Sequence, residues 1–332
     1  MATLTALRRF SYVALVVAFT HLVFGAIVRI SGSGMGCGDH WPLCYGHLFP
    51  PMNRPDLVVE WTHRLLASIL VITVLAFAVV AWRARREPQV GGRGGVLRAA
   101  LLAVATVLTA AILGAVTVKL GNTPYATAAH WLVAMTLFAT LGAAAMRAGA
   151  LGAATARVER ASGRVVRAAN AAAALAFLTV AMGGLTAKLP SAAIACRSFP
   201  LCGRDASAGM EAVHVQLTHR ILAFLLLLHL IGVVAGLSRR RDESRTVARA
   251  ATVALGLVIL QLTVAASMVL LALPAVLRSL HEAVGVSVWL GTFTYAYLAR
   301  IAYRATPVHV EVLANVLLKR PASSASAPSS VS

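Results

Sequence analysis

Four histidines stand at matched places in the chain: His63, His130, His219 and His281. The first and third open the pairs His63-Arg64 and His219-Arg220, and the second and fourth follow Pro124 and Pro274 at a short interval. Each falls within about a turn of the same end of a long apolar run, so all four share one depth. Ionisable groups inside such a run are costly and mark function by default. Imidazole pairs facing each other across a helix bundle are a usual way to ligate heme iron from both sides. A plainer alternative, a hydrogen bond from each histidine to a neighbouring helix, suits one histidine better than four repeated as two pairs. Zinc fits less well, because no two of the four are spaced as ligands on one helix face and acidic partners are few.

Glu60 breaks the symmetry. It lies three residues before His63, so both side chains point to one helix face, and the matching place before His219 holds the uncharged Gln216. A carboxylate beside a bound macrocycle can take a proton or stabilise developing positive charge. Otherwise it complements the helix dipole. Arg64 and Arg220 each suit a heme propionate, gripped by two hydrogen bonds, or they snorkel to lipid phosphate. Cys37 and Cys44 share one interhelical loop, and Cys196 and Cys202 share another. Their closeness in sequence favours Cys37–Cys44 and Cys196–Cys202 among the three possible connectivities, as structural staples. The first pair also has the option of exchanging electrons or thiols. Of the other histidines, His21 and His229 read as packing or hydrogen-bonding residues inside apolar runs. His40, His47 and His309 read as solvated, and His214 as the edge of a heme pocket.

These residues need a scaffold of membrane helices. Hydrophobic residues make up 59% of the 332, and charged residues 12%. A soluble domain carries about a quarter charged residues, so this chain could not cover its surface with polar groups. The net charge of +19 is concentrated in short clusters between apolar runs, which points to a membrane rather than nucleic acid. Runs of spanning length are expected at 10–30, 60–82, 96–118, 127–147, 165–187, 212–237, 246–271 and 280–303, all as helices. The first resembles a signal peptide but has no small-residue cleavage site, and its sequence recurs later, so it is read as a span. Most lysines and arginines fall before the first span, in the loops after spans two, four and six, and at the C-terminus. That bias places both termini in the cytoplasm and the cysteine loops in an oxidising compartment. The tail after Pro321 is rich in Ser and Ala and is expected to be disordered.

The chain also repeats itself. Gly25-Ala26-Ile27-Val28, Cys37, Pro42-Leu43-Cys44 and Glu60-Trp61-Thr62-His63-Arg64 answer to Gly183-Gly184-Leu185-Thr186, Cys196, Pro200-Leu201-Cys202 and Gln216-Leu217-Thr218-His219-Arg220. An even number of spans per copy gives a parallel repeat. The expected architecture is therefore an all-α polytopic membrane protein of eight transmembrane helices, arranged as two pseudo-symmetric four-helix bundles. Their expected extents are 1–150 and 151–310, followed by a cytoplasmic tail at 311–332.

The stretch Gly32-Ser33-Gly34-Met35-Gly36-Cys37, the segment Trp41-Pro42-Leu43-Cys44, Glu60-x-x-His63-Arg64 and His219-Arg220 together resemble the heme A synthase family, in its bacterial branch with a cysteine pair in each half. The likeness runs nearly from the first span to the eighth. His40 is a departure, since the family often has a shorter acidic or small segment before the tryptophan. The resemblance implies oxidation of a methyl group of heme O, through an alcohol and with oxygen from water, to the formyl group of heme A for cytochrome oxidase. It makes His63 and His130 the ligands of the substrate heme O, His219 and His281 those of a heme b cofactor, and Glu60 the catalytic residue. It also implies a bacterial plasma-membrane location, with heme O synthase and an electron acceptor as partners. Two alternatives remain at this level: a two-heme cytochrome passing electrons between a quinone and another carrier, and an iron-free transporter built on a parallel repeat.

Overall fold

Apolar runs of this length have nowhere to send their backbone hydrogen bonds in lipid except along the chain itself. The computed structural model describes residues 2–41, 43–202, 209–240 and 242–305, and every regular element among them is helical. Eight of these helices are long: α1 (Ala2–Ile30), α2 (Pro55–Arg83), α3 (Val96–Lys119), α4 (Pro124–Arg147), α5 (Gly163–Lys188), α6 (Met210–Ser238), α7 (Arg245–Leu270) and α8 (Ala275–Arg304). His309 and the tail at 311–332, with Lys319 and Arg320, lie outside the described residues.

Several helices extend past the apolar runs. The α1 helix begins at Ala2 rather than near residue 10, α2 at Pro55 rather than 60, and α8 at Ala275 rather than 280. Polar first turns still form helix, and Pro55 and Pro124 start theirs because a first-turn proline has its φ preset and no N–H that the helix would need. Among the described residues, seven of the helices are long and apolar enough to cross a membrane. The eighth, α8, is not one of them, since Arg278, His281, Glu282 and Arg300 dilute its apolar character.

Helix neighbours follow chain order. In the first half α1 packs on α2, α2 on α3, α3 on α4, and α4 returns to α1. In the second, α5 packs on α6, α6 on α7, α7 on α8, and α8 returns to α5. Contacts between the halves run through α4 and α8, with α1 touching α8 and α5 touching α4. Small residues make this seam close. A Cβ on Gly142 of α4 would stand only 2.9 Å from Leu290 Cδ1 of α8, the kind of approach that dispersion between lipid-embedded helices requires. Across the same seam Trp289 Nε1 donates to the Met135 carbonyl at 2.9 Å, and Arg147 Nε donates to Tyr297 Oη at 2.9 Å.

On the side away from the cysteine loops, the connections are clipped to one another. Glu159 accepts hydrogen bonds from the Ser244 hydroxyl and the Thr246 N–H, while Glu243 accepts from the Ser162 N–H. Ser162 and Ser244 in turn cap α5 and α7 with their hydroxyls. The connection after α4 is thereby held to the connection after α6, at the end of the molecule away from the two cysteine loops.

Candidate functional site

All four matched histidines fall at the cysteine-loop end, on the even-numbered helices α2, α4, α6 and α8. Three of them lie against glycine. A Cβ on Gly25 of α1 would come 3.2 Å from Cε1 of His63, one on Gly114 of α3 would come 3.2 Å from Cε1 of His130, and one on Gly183 of α5 would come 3.0 Å from Cε1 of His219. The missing side chains let the Cε1 edge of each ring come close to the neighbouring helix.

Two of the rings are anchored through Nδ1. His130 Nδ1 sits 2.8 Å from the Ala110 carbonyl, and His219 Nδ1 sits 2.9 Å from the Thr179 carbonyl. A carbonyl only accepts, so the proton is on Nδ1 and the lone pair is left on Nε2. That is the tautomer and the outer hydrogen bond that metal-ligating histidines usually carry. The other two lack this anchor, and the buried Nδ1 atoms of His63 and His281 have no hydrogen-bond partner among the described residues. Each has a polar side chain beside it instead. The His63 ring stacks on His21 with centroids 4.3 Å apart and planes 5° from parallel. Gln261 Nε2 lies 3.3 Å from His281 Nε2 and donates to the His281 carbonyl at 2.9 Å. His21 thus packs, as expected, and what it packs on is the His63 ring, which makes it part of the first-half cluster.

In the second half the rings of His219 and His281 face one cavity of about 180 Å³. Their centroids are 6.4 Å apart. That interval accommodates one metal atom with a nitrogen at about 2 Å on either side. The cavity is mostly apolar and is finished by residues of the first half, Arg29 of α1 and Trp131 of α4. Trp131 Nε1 donates to Glu282 Oε1 at 3.1 Å, and Arg29 pairs with Glu282 Oε2 at 3.4 Å. A paired set of histidines, an orphaned ring nitrogen and a mostly apolar cavity fit a bis-imidazole heme better than a bare ion. His214 is exposed and lines no part of this cavity. Five residues before His219, it lies about 140° further round the helix. His229 has its ring nitrogen on the Ala168 carbonyl at 2.8 Å, as expected of a hydrogen-bonding residue.

The remaining candidates gather the cysteine loops. Cys37–Cys44 and Cys196–Cys202 are both disulfides, each with Cα atoms 4.8 Å apart. Glu60, 3% exposed, accepts the Cys37 N–H at 2.9 Å with one oxygen and pairs with Arg64 at 2.5 Å through the other. Arg64 also donates to the carbonyls of His40 at 2.7 Å and Leu43 at 3.2 Å. The second half repeats the device without the charge: Gln216 Nε2 donates to the Ala193 carbonyl at 3.3 Å, and Arg220 donates to the carbonyls of Cys196, Ser198 and Pro200. Both arginines thus hold a disulfide loop over the end of their own helices. Gly36 makes the first loop fit, because a Cβ there would lie 2.5 Å from the Asp56 carbonyl oxygen.

Over residues 8–58 and 53–293 the chain matches the family model of the cytochrome oxidase assembly protein, COX15-CtaA. The chain belongs to this family. Among its relatives are the heme A synthase of Bacillus pumilus (strain SAFR-032), 29% identical across 67% of this chain and 71% of its own length. The heme A synthase of Geobacillus kaustophilus (strain HTA426) is 26% identical across 86% of this chain and 89% of its own. That of Staphylococcus haemolyticus (strain JCSC1435) is 27% identical across 85% and 90%. The family match takes in all four histidines, Glu60 and both disulfides.

Proposed function

We infer that the protein is a heme A synthase, a membrane oxidoreductase that converts a methyl group of heme O to the formyl group of heme A. The observation that carries this reading is a matched pair of histidines in each half, with Glu60 three residues before His63 where the second half has the uncharged Gln216 before His219, in a chain of this family. Each oxidation breaks one C–H bond and releases two electrons and two protons in all. In the first, water supplies the oxygen and the second proton; in the second, the new hydroxyl supplies the second proton. The electrons leave to the electron acceptor. His63 and His130 hold the substrate, heme O, in the first half. His219 and His281 hold heme b in the second, with Arg64 and Arg220 near the propionate side of each. When bound, heme b supplies a one-electron acceptor close to the substrate. Glu60 keeps a negative charge beside His63 at no further reorganisation cost, since Arg64 and the Cys37 N–H already fix it; a fixed charge opposes positive charge developing at the methyl carbon. Arg64 and Arg220 keep the loops closed over the two sites.

The supporting scaffold is eight transmembrane helices, α8 included, as two four-helix bundles in parallel repeat at 1–150 and 151–310. The ring of neighbours within each half supports this arrangement. The basic loops support a plasma-membrane orientation with both termini in the cytoplasm. Heme O synthase and an electron acceptor are the proposed partners.

A second reading has one observation in its favour. Both oxygens of Glu60 are already engaged with the first cysteine loop, as a purely structural residue would be. A two-heme cytochrome would need no more than that. Pigment extracted from the purified protein separates the two: a synthase yields heme B together with heme O or heme A, whereas a cytochrome yields heme B alone.

A further inference from the structure

Three cations converge at the cysteine-loop end of the second-half cavity. Arg29 is in the last turn of α1, Lys188 closes α5, and Arg278 is in the first turn of α8. Arg29 and Arg278 line the cavity wall, and Arg29 lies within electrostatic reach of both Lys188 and Arg278. One carboxylate answers them: Glu282, which Arg29 shares with Trp131. The side chains of Lys188 and Arg278 make no hydrogen bond or ion pair among the described residues. All three are partly buried. Like charges held together beside an apolar volume are costly unless an anion joins them.

The cluster is confined to one half. In the register set by Gly25 and Gly183, Lys188 answers to Ile30 and Arg29 to Ala187. In the register set by His130 and His281, Arg278 answers to Thr127. The first half thus has no cations at the corresponding places, and its own Arg29 is turned to the other site.

We propose that Arg29 and Arg278, with Lys188 behind them, form a carboxylate seat that takes the two propionates of the macrocycle held by His219 and His281. This rests on the heme reading of that cavity and deepens it. A dianionic edge offsets the excess positive charge, and the guanidinium groups match carboxylates in shape as well as in sign. The contrast between halves follows from the division of labour: a cofactor is retained by an ionic grip, while a substrate that must leave as product is not. Arg64 and Arg220, engaged with the loop carbonyls, then act chiefly as loop clamps.

The test uses the full-length chain produced without heme and purified in detergent. His63→Ala and His130→Ala are introduced together so that only the second-half pair remains. Hemin and hemin dimethyl ester, whose propionates are methylated, are titrated in parallel and followed by the Soret band of a low-spin bis-imidazole complex. The expected result is ester binding weaker by about tenfold or more, the range of lost hydrogen bonds to charged groups. Arg278→Gln should weaken hemin to a similar extent and leave the ester unchanged, and Arg278→Lys should restore most of the difference. Equal affinities for hemin and its ester, with no effect of Arg278→Gln, would overturn the proposal and assign the cations to lipid phosphates, leaving the heme reading intact. If neither pigment binds, the heme reading of the cavity falls and the propionate seat falls with it.

Discussion

Glu60 and Gln216 occupy the same place in the two halves and do the same local work, reaching from the helix to the cysteine loop above it. They differ by one charge, and that difference sets the sharpest prediction at the residue scale. Glu60→Gln copies the second half into the first. Its amide keeps an oxygen for the Cys37 N–H, so the loop and heme content are expected to survive. Loss of one fixed charge next to the reacting carbon costs on the order of 10²–10³ in rate, about 3–4 kcal/mol. Heme A yield should fall by that factor while total heme per protein stays near that of the parent, as read by pigment extraction and liquid chromatography. A variant with parental heme A yield would return Glu60 to a loop-clamping role. The repeat makes Glu60, His63, His219 and both arginines legible from sequence, because one copy calibrates the other. His21 escapes that comparison, since its counterpart is Thr179, whose backbone carbonyl rather than side chain meets the second-half ring. Trp131, Gln261 and Glu282 are missed for a related reason: their partners come from a different helix or the other half.

At the scale of elements, glycines of α1, α3 and α5 form the walls that the rings of His63, His130 and His219 approach. Gly183→Leu would drive a side chain into the space of the His219 ring, whose Cε1 is already only 3.0 Å from where a Cβ would stand. Ligation in the second half should fail while the first half retains its pigment. The expected measurement is a fall of about half in heme per protein, and Gly25→Leu should remove the complementary half. Equal loss of both pigments from either variant would mean that the walls are not independent. The cysteine loops give a second check. Peptide mapping without reductant should recover Cys37 joined to Cys44 and Cys196 joined to Cys202, and crosslinks between the two loops would contradict the fold of both. Helix existence was readable from apolar run length, whereas helix starts were not. The first turns at Pro55 and Ala275 follow or contain a proline that starts the helix, a signal separate from hydropathy, and that at Ala2 is broken up by threonines.

At the scale of the molecule, the two ends are chemically distinct: disulfide loops and histidines at one, basic connections and serine caps at the other. The basic end is expected to face the cytoplasm. Single cysteines placed at Arg157 or Arg245, in a background retaining both disulfides, should resist a membrane-impermeant thiol reagent in intact cells and react once the membrane is opened. Labelling from outside would invert the topology and put the disulfides in a reducing compartment. The eighth helix was legible as a long run but carries Arg278, His281 and Glu282, and it is these polar residues that connect the cavity to the first half through Arg29 and Trp131. A repeat read from sequence shows two similar halves. What it hides is that the second site is completed by side chains of the first.

The most direct measurement is chemical conversion in a host that makes heme O but lacks its own heme A synthase. Membranes are extracted with and without expression of this chain, and the pigments are identified by mass. The account predicts that heme A appears only when the chain is expressed, at the expense of heme O, and disappears with His63→Ala. Undiminished heme O with no heme A, in membranes that contain the folded, heme-loaded protein, would contradict it.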